Sequence, residues 1–258
     1  MGSGMKLCVL GSGSEGNSTL VYTDTTALLV DVGFVARTME KRFDAIKFDP
    51  SRLNAFLITH EHSDHMRGAE ILSKKYKIPV YMTSGTANNV SPRFRKCGRI
   101  KTLKAEEKFT IGDIEVDPFS IPHDVADPVG YLLESKGRTA VNVTDIGRVT
   151  TRVVEKLRKA HLAVVEANHN PEMLANGPYP AFLKKRIAGN EGHLSNEQCG
   201  ELLGHAMGNG LASVIFAHIS RTNNDHQHVE KLAREMFVGT DVKYEIASQD
   251  LPGTVFEV

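Results

Sequence analysis

Short apolar, β-branched runs alternate with amphipathic stretches along the chain. Residues 6–10, 19–23 and 27–31 are such runs, separated by Gly, Ser, Asn and Asp, and predict three strands joined by turns. Helical patterning follows at 36–43. The run 54–59 is apolar, as in a strand buried on both faces. A polar loop leads from it to a helix at 68–76, a strand at 79–82 and a helix-like stretch near Ser84. Strands are expected again at 108–111, 114–120, 129–134 and 139–144, then a helix at 151–159 and a strand at 161–166. The C-terminal part predicts helices at 179–186, 195–207 and 225–237, a strand at 213–217, and strands at 242–247 and 254–257. Hairpins mix with strand–helix alternation, which predicts two sheets with helices outside and not one doubly wound parallel sheet. No repeat or low-complexity tract interrupts the pattern.

Composition narrows the class. A chain of 258 residues, 41% hydrophobic and 24% charged, reads as a soluble globular protein with ample core. One domain is expected over 5–258, with residues 1–4 read as an expression scar before a native Met5. No stretch approaches the ~20 apolar residues of a membrane span, so no membrane partner is expected. Cys8, Cys97 and Cys199 are odd in number, far apart and without a C-x-x-C, which is a cytoplasmic pattern of partly buried thiols. Lys+Arg and Asp+Glu are both 31, which excludes a highly basic protein but not a local basic patch. Eleven histidines without a charge excess point to imidazole used as ligand or proton carrier. Oligomeric state has no signature in the chain.

One motif misleads. Gly11-Ser-Gly13-Ser14-Glu-Gly16 matches G-x-G-x-x-G, and Asp31 ends a strand downstream. A dinucleotide site also needs a helix after the third glycine, to hold the pyrophosphate. Here Asn17-Ser-Thr-Leu-Val-Tyr follows, which is strand chemistry, so no organic cofactor is expected. The segment reads as a tight turn, with Ser14 and Asn17 as candidates where its backbone meets a substrate phosphate.

The strongest chemical signal is His60-Glu-His62-Ser-Asp64-His65, directly after the apolar run 54–59. The helical H-E-x-x-H zinc motif does not apply, because Asp64 stands four residues after His60. In an extended segment His60 and His62 point the same way, leaving Asp64 and His65 to face a second point. Six residues cannot close two metal sites. His123, Asp145 and His218 each lie just past an apolar β-run and are the candidates to complete them.

With these residues the sequence resembles the metallo-β-lactamase fold superfamily, whose signature is H-x-H-x-D-H. The resemblance implies an α/β (α+β) four-layer αβ/βα sandwich, with two mixed β-sheets flanked by helices and the site where the sheets meet. It implies two divalent metal ions per chain, zinc or manganese. His60, His62 and His123 would hold one, Asp64, His65 and His218 the other, and Asp145 would bridge them. Asp31 would support the metal loop. Glu166-Ala-Asn-His169, Gly192-His193-Leu-Ser195 and Ala217-His218-Ile-Ser220-Arg221 are similar to segments of phosphodiesterase nucleases in the superfamily. The resemblance makes His193 a proton donor oriented by Glu166, with Asp64 also in the catalytic set. The opening turn, Pro122-His123-Asp124 and Pro128-Val-Gly-Tyr131 look closest to a YycJ/WalJ-like bacterial nuclease group, associated with 5′-to-3′ exonuclease activity chiefly on DNA.

A nucleic-acid substrate, DNA favoured and RNA possible, therefore leads. The chain lacks the inserted domain of β-CASP nucleases and the long arm of tRNA-processing enzymes, and 170–189 reads as a small substitute or lid. Residues 93–104 carry six bases and no acids, which suits a polyanion; Arg95, Lys96 and Arg99 there, with Arg221, are the candidate substrate contacts, and Lys184-Lys185-Arg186 a weaker one. The alternatives are a small-molecule metallo-hydrolase, acting on a cyclic nucleotide, lactone or thioester, and a non-catalytic metal-binding module.

Overall fold

The computed structural model describes residues 4–96 and 98–258. The thiol reading of Cys97 and most of the expected N-terminal scar fall outside this range. The first sheet contains β1 (Lys6–Gly11), β2 (Ser18–Tyr22), β3 (Ala27–Val30), β4 (Ala55–Leu57), β5 (Val80–Thr83) and β6 (Ile100–Leu103). The second contains β7 (Phe109–Ile111), β8 (Ile114–Ser120), β9 (Val129–Ser135), β10 (Arg138–Val143), β11 (Leu162–Glu166), β12 (Ser213–Ala217) and β13 (Lys243–Ile246). The last strand, β14 (Phe256–Glu257), returns to the first sheet beside β1. The orders are β14-β1-β2-β3-β4-β5-β6 and β13-β12-β11-β10-β9-β8-β7. Each sheet opens with antiparallel hairpins and continues as a parallel ladder, β3 to β6 in one and β10 to β13 in the other.

Helices cover the outer faces. They are α1 (Ala36–Ala45), α2 (Ser63–Met66), α3 (Ala69–Tyr76), α4 (Ser84–Asn89), α5 (Pro92–Arg95), α6 (Thr151–Leu157), α7 (Pro171–Asn176), α8 (Ala181–Ile187), α9 (Asn196–Gly204) and α10 (His226–Phe237). Strand periodicity divides the core into three. From β11, Leu162 and Val164 face the other sheet, while Ala163 and Val165 face α6, α9 and α10. From β3, Leu28 and Val30 face inward and Ala27 and Leu29 meet α1 and α3. Both strand faces are therefore buried, which is why these strands are apolar throughout. The result is the four-layer sandwich.

Most expected elements appear within a residue or two. β6 was not anticipated: Lys101 and Thr102 are exposed on this edge strand, so its composition is that of a loop. α2, α5 and α7 were also absent from the pattern, being only four to six residues long. Ser91 and Asn170 cap α5 and α7, each followed by proline at the first helical position. Cys8 and Cys199 are free and fully buried rather than partly so. No helix among the described residues is long and apolar enough to cross a membrane.

Candidate metal centre

Strand direction brings the site together. β1, β3, β4, β8, β10, β11 and β12 all end at one edge of the sandwich, and the chemistry-bearing residues follow them or, like Glu166, end them. Asp31 follows β3, His60 follows β4, His123 follows β8, Asp145 follows β10 and His218 follows β12. Asp31, Asp145 and His218 have left-handed backbones, with φ of 59°, 60° and 53°. That conformation is uncommon for non-glycine residues and clusters at functional sites.

The histidine loop is clamped in place. Asn17 N donates to Asp64 O at 2.7 Å, Val32 N to His65 O at 2.7 Å, and Gly68 N to Val32 O at 2.8 Å. Gly33 lies so close beneath the loop that a Cβ there would stand 1.7 Å from Asp64 O. From the opposite sheet, the buried Tyr131 hydroxyl donates to Ile58 O at 2.7 Å, just before the loop begins.

Three of the imidazoles share one orientation rule. His65 Nδ1 meets Asp31 Oδ2 at 2.8 Å, and His218 Nδ1 meets Glu166 Oε1 at 2.8 Å. His123 Nδ1 lies 3.1 Å from Glu191 O and 3.2 Å from Gly192 O. A carboxylate or carbonyl can only accept, so each Nδ1 carries the proton and each Nε2 is left basic toward the centre. This is how ligating histidines are held. His60 Nε2 and His62 Nδ1 approach to 3.1 Å, and His123 Nε2 lies 3.4 Å from His62 Nδ1.

Four sets of donor atoms converge within 4.8 Å: His60, His62 and His123; Asp64, His65 and His218; His60, His65 and Asp145; and Asp145, Glu166, His193 and His218. The buried His218 Nε2 and Asp145 Oδ2 make no well-formed hydrogen bond, their nearest charged neighbours being Asp64 Oδ2 at 3.7 Å and His65 Nε2 at 3.2 Å, a state that a bound ligand would relieve. Titration follows the same logic. Burial opposes charge on His65 and His218, yet the surrounding carboxylates, Asp145 first, raise His65 well above the usual range and His218 to about 10. Burial and then the charge of His65 hold His60 well below its ordinary value. Burial opposes ionisation of Asp145, but His218 and His65 keep it well below the usual carboxylate range. The clustered carboxylates call for positive charge at the centre. Orphaned donors, convergent nitrogens and net demand for cations fit two divalent ions.

Glu166 is fully buried and engages four donors. Oε1 accepts from both His193 Nδ1 and His218 Nδ1 at 2.8 Å, and Oε2 accepts from Ile146 N at 3.0 Å and Leu194 N at 3.1 Å. His193 is therefore fixed with Nδ1 protonated, leaving Nε2 as its second nitrogen. The ring lines a cleft of about 260 Å³ with His62, Asp64, Asp145 and His218.

Not every expected residue is placed at this cleft. Ser14 lines it. Asn17 is buried and committed internally: its Oδ1 accepts from Gly13 N and Ser12 Oγ, and its Nδ2 faces Asp64 and His65. It positions the loop and has no face for substrate. The turn it anchors runs straight into β2, without the helix a dinucleotide needs. Arg221 is turned to the adjacent pocket, pairing with Asp250 at 2.5 Å and Glu15 at 3.5 Å. Arg95, Lys96 and Arg99 do not line the cleft. They lead into the start of β6, which runs parallel to β5 and β4, so Arg99 sits at the end of the sheet opposite the histidine loop. These three candidate substrate contacts therefore lie away from the cleft, whereas Lys104, just past the end of β6, lies at the same edge of the sheet as the histidine loop. The far wall comes instead from Tyr179, Leu183, Arg186 and Ile187, around α8. Of these the sequence singled out only Arg186, as a weak candidate; the signal was the absence of any acid from 173 to 190.

Fold and site together define a hydrolase-type dinuclear centre between two sheets, and the Beta-lactamase superfamily domain matches residues 26–219. The chain belongs to that superfamily. Across nearly its whole length it is 34% identical to exodeoxyribonuclease YycJ of Bacillus anthracis, with 96% of each chain covered. It is 32% identical to exodeoxyribonuclease WalJ of Streptococcus pneumoniae, covering 99% of this chain and 98% of that one. Among solved structures, the metallo-β-lactamase fold protein YhfI of Bacillus subtilis superposes with a TM-score of 0.73 at 19% identity, over 99% of this chain and all of YhfI, a likeness of fold.

Proposed function

We propose that the protein is a metal-dependent phosphodiesterase that hydrolyses nucleic acid, a 5′-to-3′ exonuclease acting on DNA in the cytoplasm. The observation that carries this reading is the Glu166-held imidazole of His193, set in the same cleft as the convergent His and Asp donors. Likeness to two exodeoxyribonucleases over the full chain supports it, and the two unpaired buried thiols suit a reducing compartment.

In this reading His60, His62 and His123 hold one ion, Asp64, His65 and His218 the other, and Asp145 reaches both; zinc and manganese each suit the donors. Such ions, when bound, lower the pKa of a water toward neutrality and offset charge on a phosphate. The chain's own residues do the rest. When the P–O3′ bond breaks, the leaving oxygen needs a proton, and His193 Nε2–H delivers it. Glu166 stabilises the imidazolium and fixes its orientation. Asp31 and Glu166, each accepting an Nδ1–H, keep His65 and His218 aimed inward.

A substrate panel with metal content measured on the same sample tests the proposal. It compares 5′-phosphorylated and unphosphorylated DNA and RNA, single- and double-stranded, with a cyclic nucleotide beside them. Digestion of DNA from the 5′ end by protein carrying two ions per chain is expected. No digestion of any polymer, with or without added manganese, would sink it.

A further inference from the structure

We infer that the substrate strand leaves the metal centre over α8, along a phosphate track formed by Arg186, Lys185 and Arg148, with the ring of Tyr179 facing its bases. This rests on the nuclease reading and deepens it by assigning the path of the chain. The cleft at the metal centre has a neighbour on either side. On one side Arg186 is shared with a second groove of about 420 Å³, which Arg148 and Lys185 also line. On the other side Ser220 is shared with the pocket holding Arg221.

The two neighbours differ in charge. In the Arg221 pocket, Asp225 and Asp250 also contribute, and Arg221 is already matched by Asp250 and Glu15. A polyanion gains little there. On the α8 side, three bases stand against Asp124 and Glu191, and 173–190 contributes no acid at all. Arg148 and Lys185 are exposed and form no ion pair among the described residues. Arg186 is itself matched by Asp124 in a forked pair, one arm at 3.0 Å, so it marks the cleft mouth while Arg148 and Lys185 supply the unmatched charge of this groove. Tyr179 lines the cleft, half-buried, and Phe182 is 75% exposed on the same short segment. Bases joined by a positive groove to aromatic faces are the requirements of a single strand, whose unstacked bases offer their faces. Arg95, Lys96 and Arg99, at the far end of the first sheet, take no part.

The test is equilibrium binding of a labelled single-stranded DNA oligonucleotide with phosphorothioate linkages to the metal-loaded protein, read by fluorescence anisotropy over a range of salt. Arg148→Glu with Lys185→Glu should lower affinity about tenfold or more and flatten the slope of log K against log salt by about 1.4, two phosphate contacts at roughly 0.7 each. The milder alanine pair should move both in the same direction. Tyr179→Leu should weaken single-strand binding more than duplex binding. Glutamates at Arg95, Lys96 and Arg99 should change neither affinity nor slope. Wild-type affinity and slope in the Arg148/Lys185 pair would overturn the track, as would loss confined to the 95/96/99 variant or no oligonucleotide binding at all. The two readings fail separately. Binding through α8 with no digestion of any polymer removes the nuclease reading alone. Digestion of DNA with unaltered binding in the paired variant removes the track alone.

Discussion

At the residue scale, the most informative atom is Glu166 Oε1, because it accepts from two imidazoles with different tasks. One belongs to the proposed proton donor and the other to a proposed ligand, so their variants should separate. His193→Ala removes one donor of the set Asp145, Glu166, His193 and His218 but none of the residues proposed as ligands. It should keep two ions per chain and lose about 10²–10⁴ in turnover, the usual general-acid contribution. Glu166→Gln should lose turnover and also weaken retention of the ion beside His218 by roughly 10–100-fold, as removal of an outer-shell carboxylate does. Metal analysis beside turnover checks both. Full turnover in His193→Ala, or unchanged ion retention in Glu166→Gln, would reject the division of roles. Much of this site was legible: the six-residue histidine run and the strand-end positions of His123, Asp145 and His218 are sequence signals. Asn17 was not, since nothing in a turn sequence says whether its amide faces inward or outward.

At the element scale, legibility followed burial. Strands with both faces covered left continuous apolar runs and were found. The edge strand β6 and the short helices α2, α5 and α7 left almost none, because side chains that see water need not be apolar. The position of Arg95, Lys96 and Arg99 was unreadable for a related reason. Their charge is visible, but the β5–α4–α5–β6 return that sets them before the start of β6, away from the cleft, is a property of strand direction. The close approach of Gly33 to the histidine loop was also unreadable, and it gives a sharp test. Gly33→Ala places a Cβ 1.7 Å from Asp64 O and 2.5 Å from Asn17 N, both backbone atoms that cannot swing away. Overpacking of this kind costs about 1–3 kcal/mol, or roughly 2–12 °C in Tm at 2–4 °C per kcal/mol. The loop must lift, so metal retention should fall along with Tm. Calorimetry and metal analysis of the variant should show both losses, and retention of two ions at wild-type Tm would refute the clamp.

At the scale of the whole molecule, the proposed ions are links between the sheets. His60, His62, Asp64 and His65 follow the first sheet, whereas His123, Asp145 and His218 follow the second. Apart from the donors themselves, the sheets are joined mainly by the apolar core that includes Val30, Leu57, Tyr131 and Val164. Two ions bound to this edge would therefore favour the native state over the unfolded chain, where the donors are dispersed. Ligand binding confined to the native state raises stability by RT ln(1 + [L]/Kd), about 2.7 kcal/mol at a hundredfold excess over Kd. The ions would also supply the positive charge that the clustered Asp64 and Asp145 carboxylates call for. Exhaustive chelation should lower Tm by at least several degrees, and zinc or manganese should restore it in a concentration-dependent way. Calcium, which prefers six to eight oxygen ligands, should restore it poorly at this nitrogen-rich centre. A Tm indifferent to verified metal removal would show that the apolar core alone holds the sheets in register and that the ions serve chemistry only.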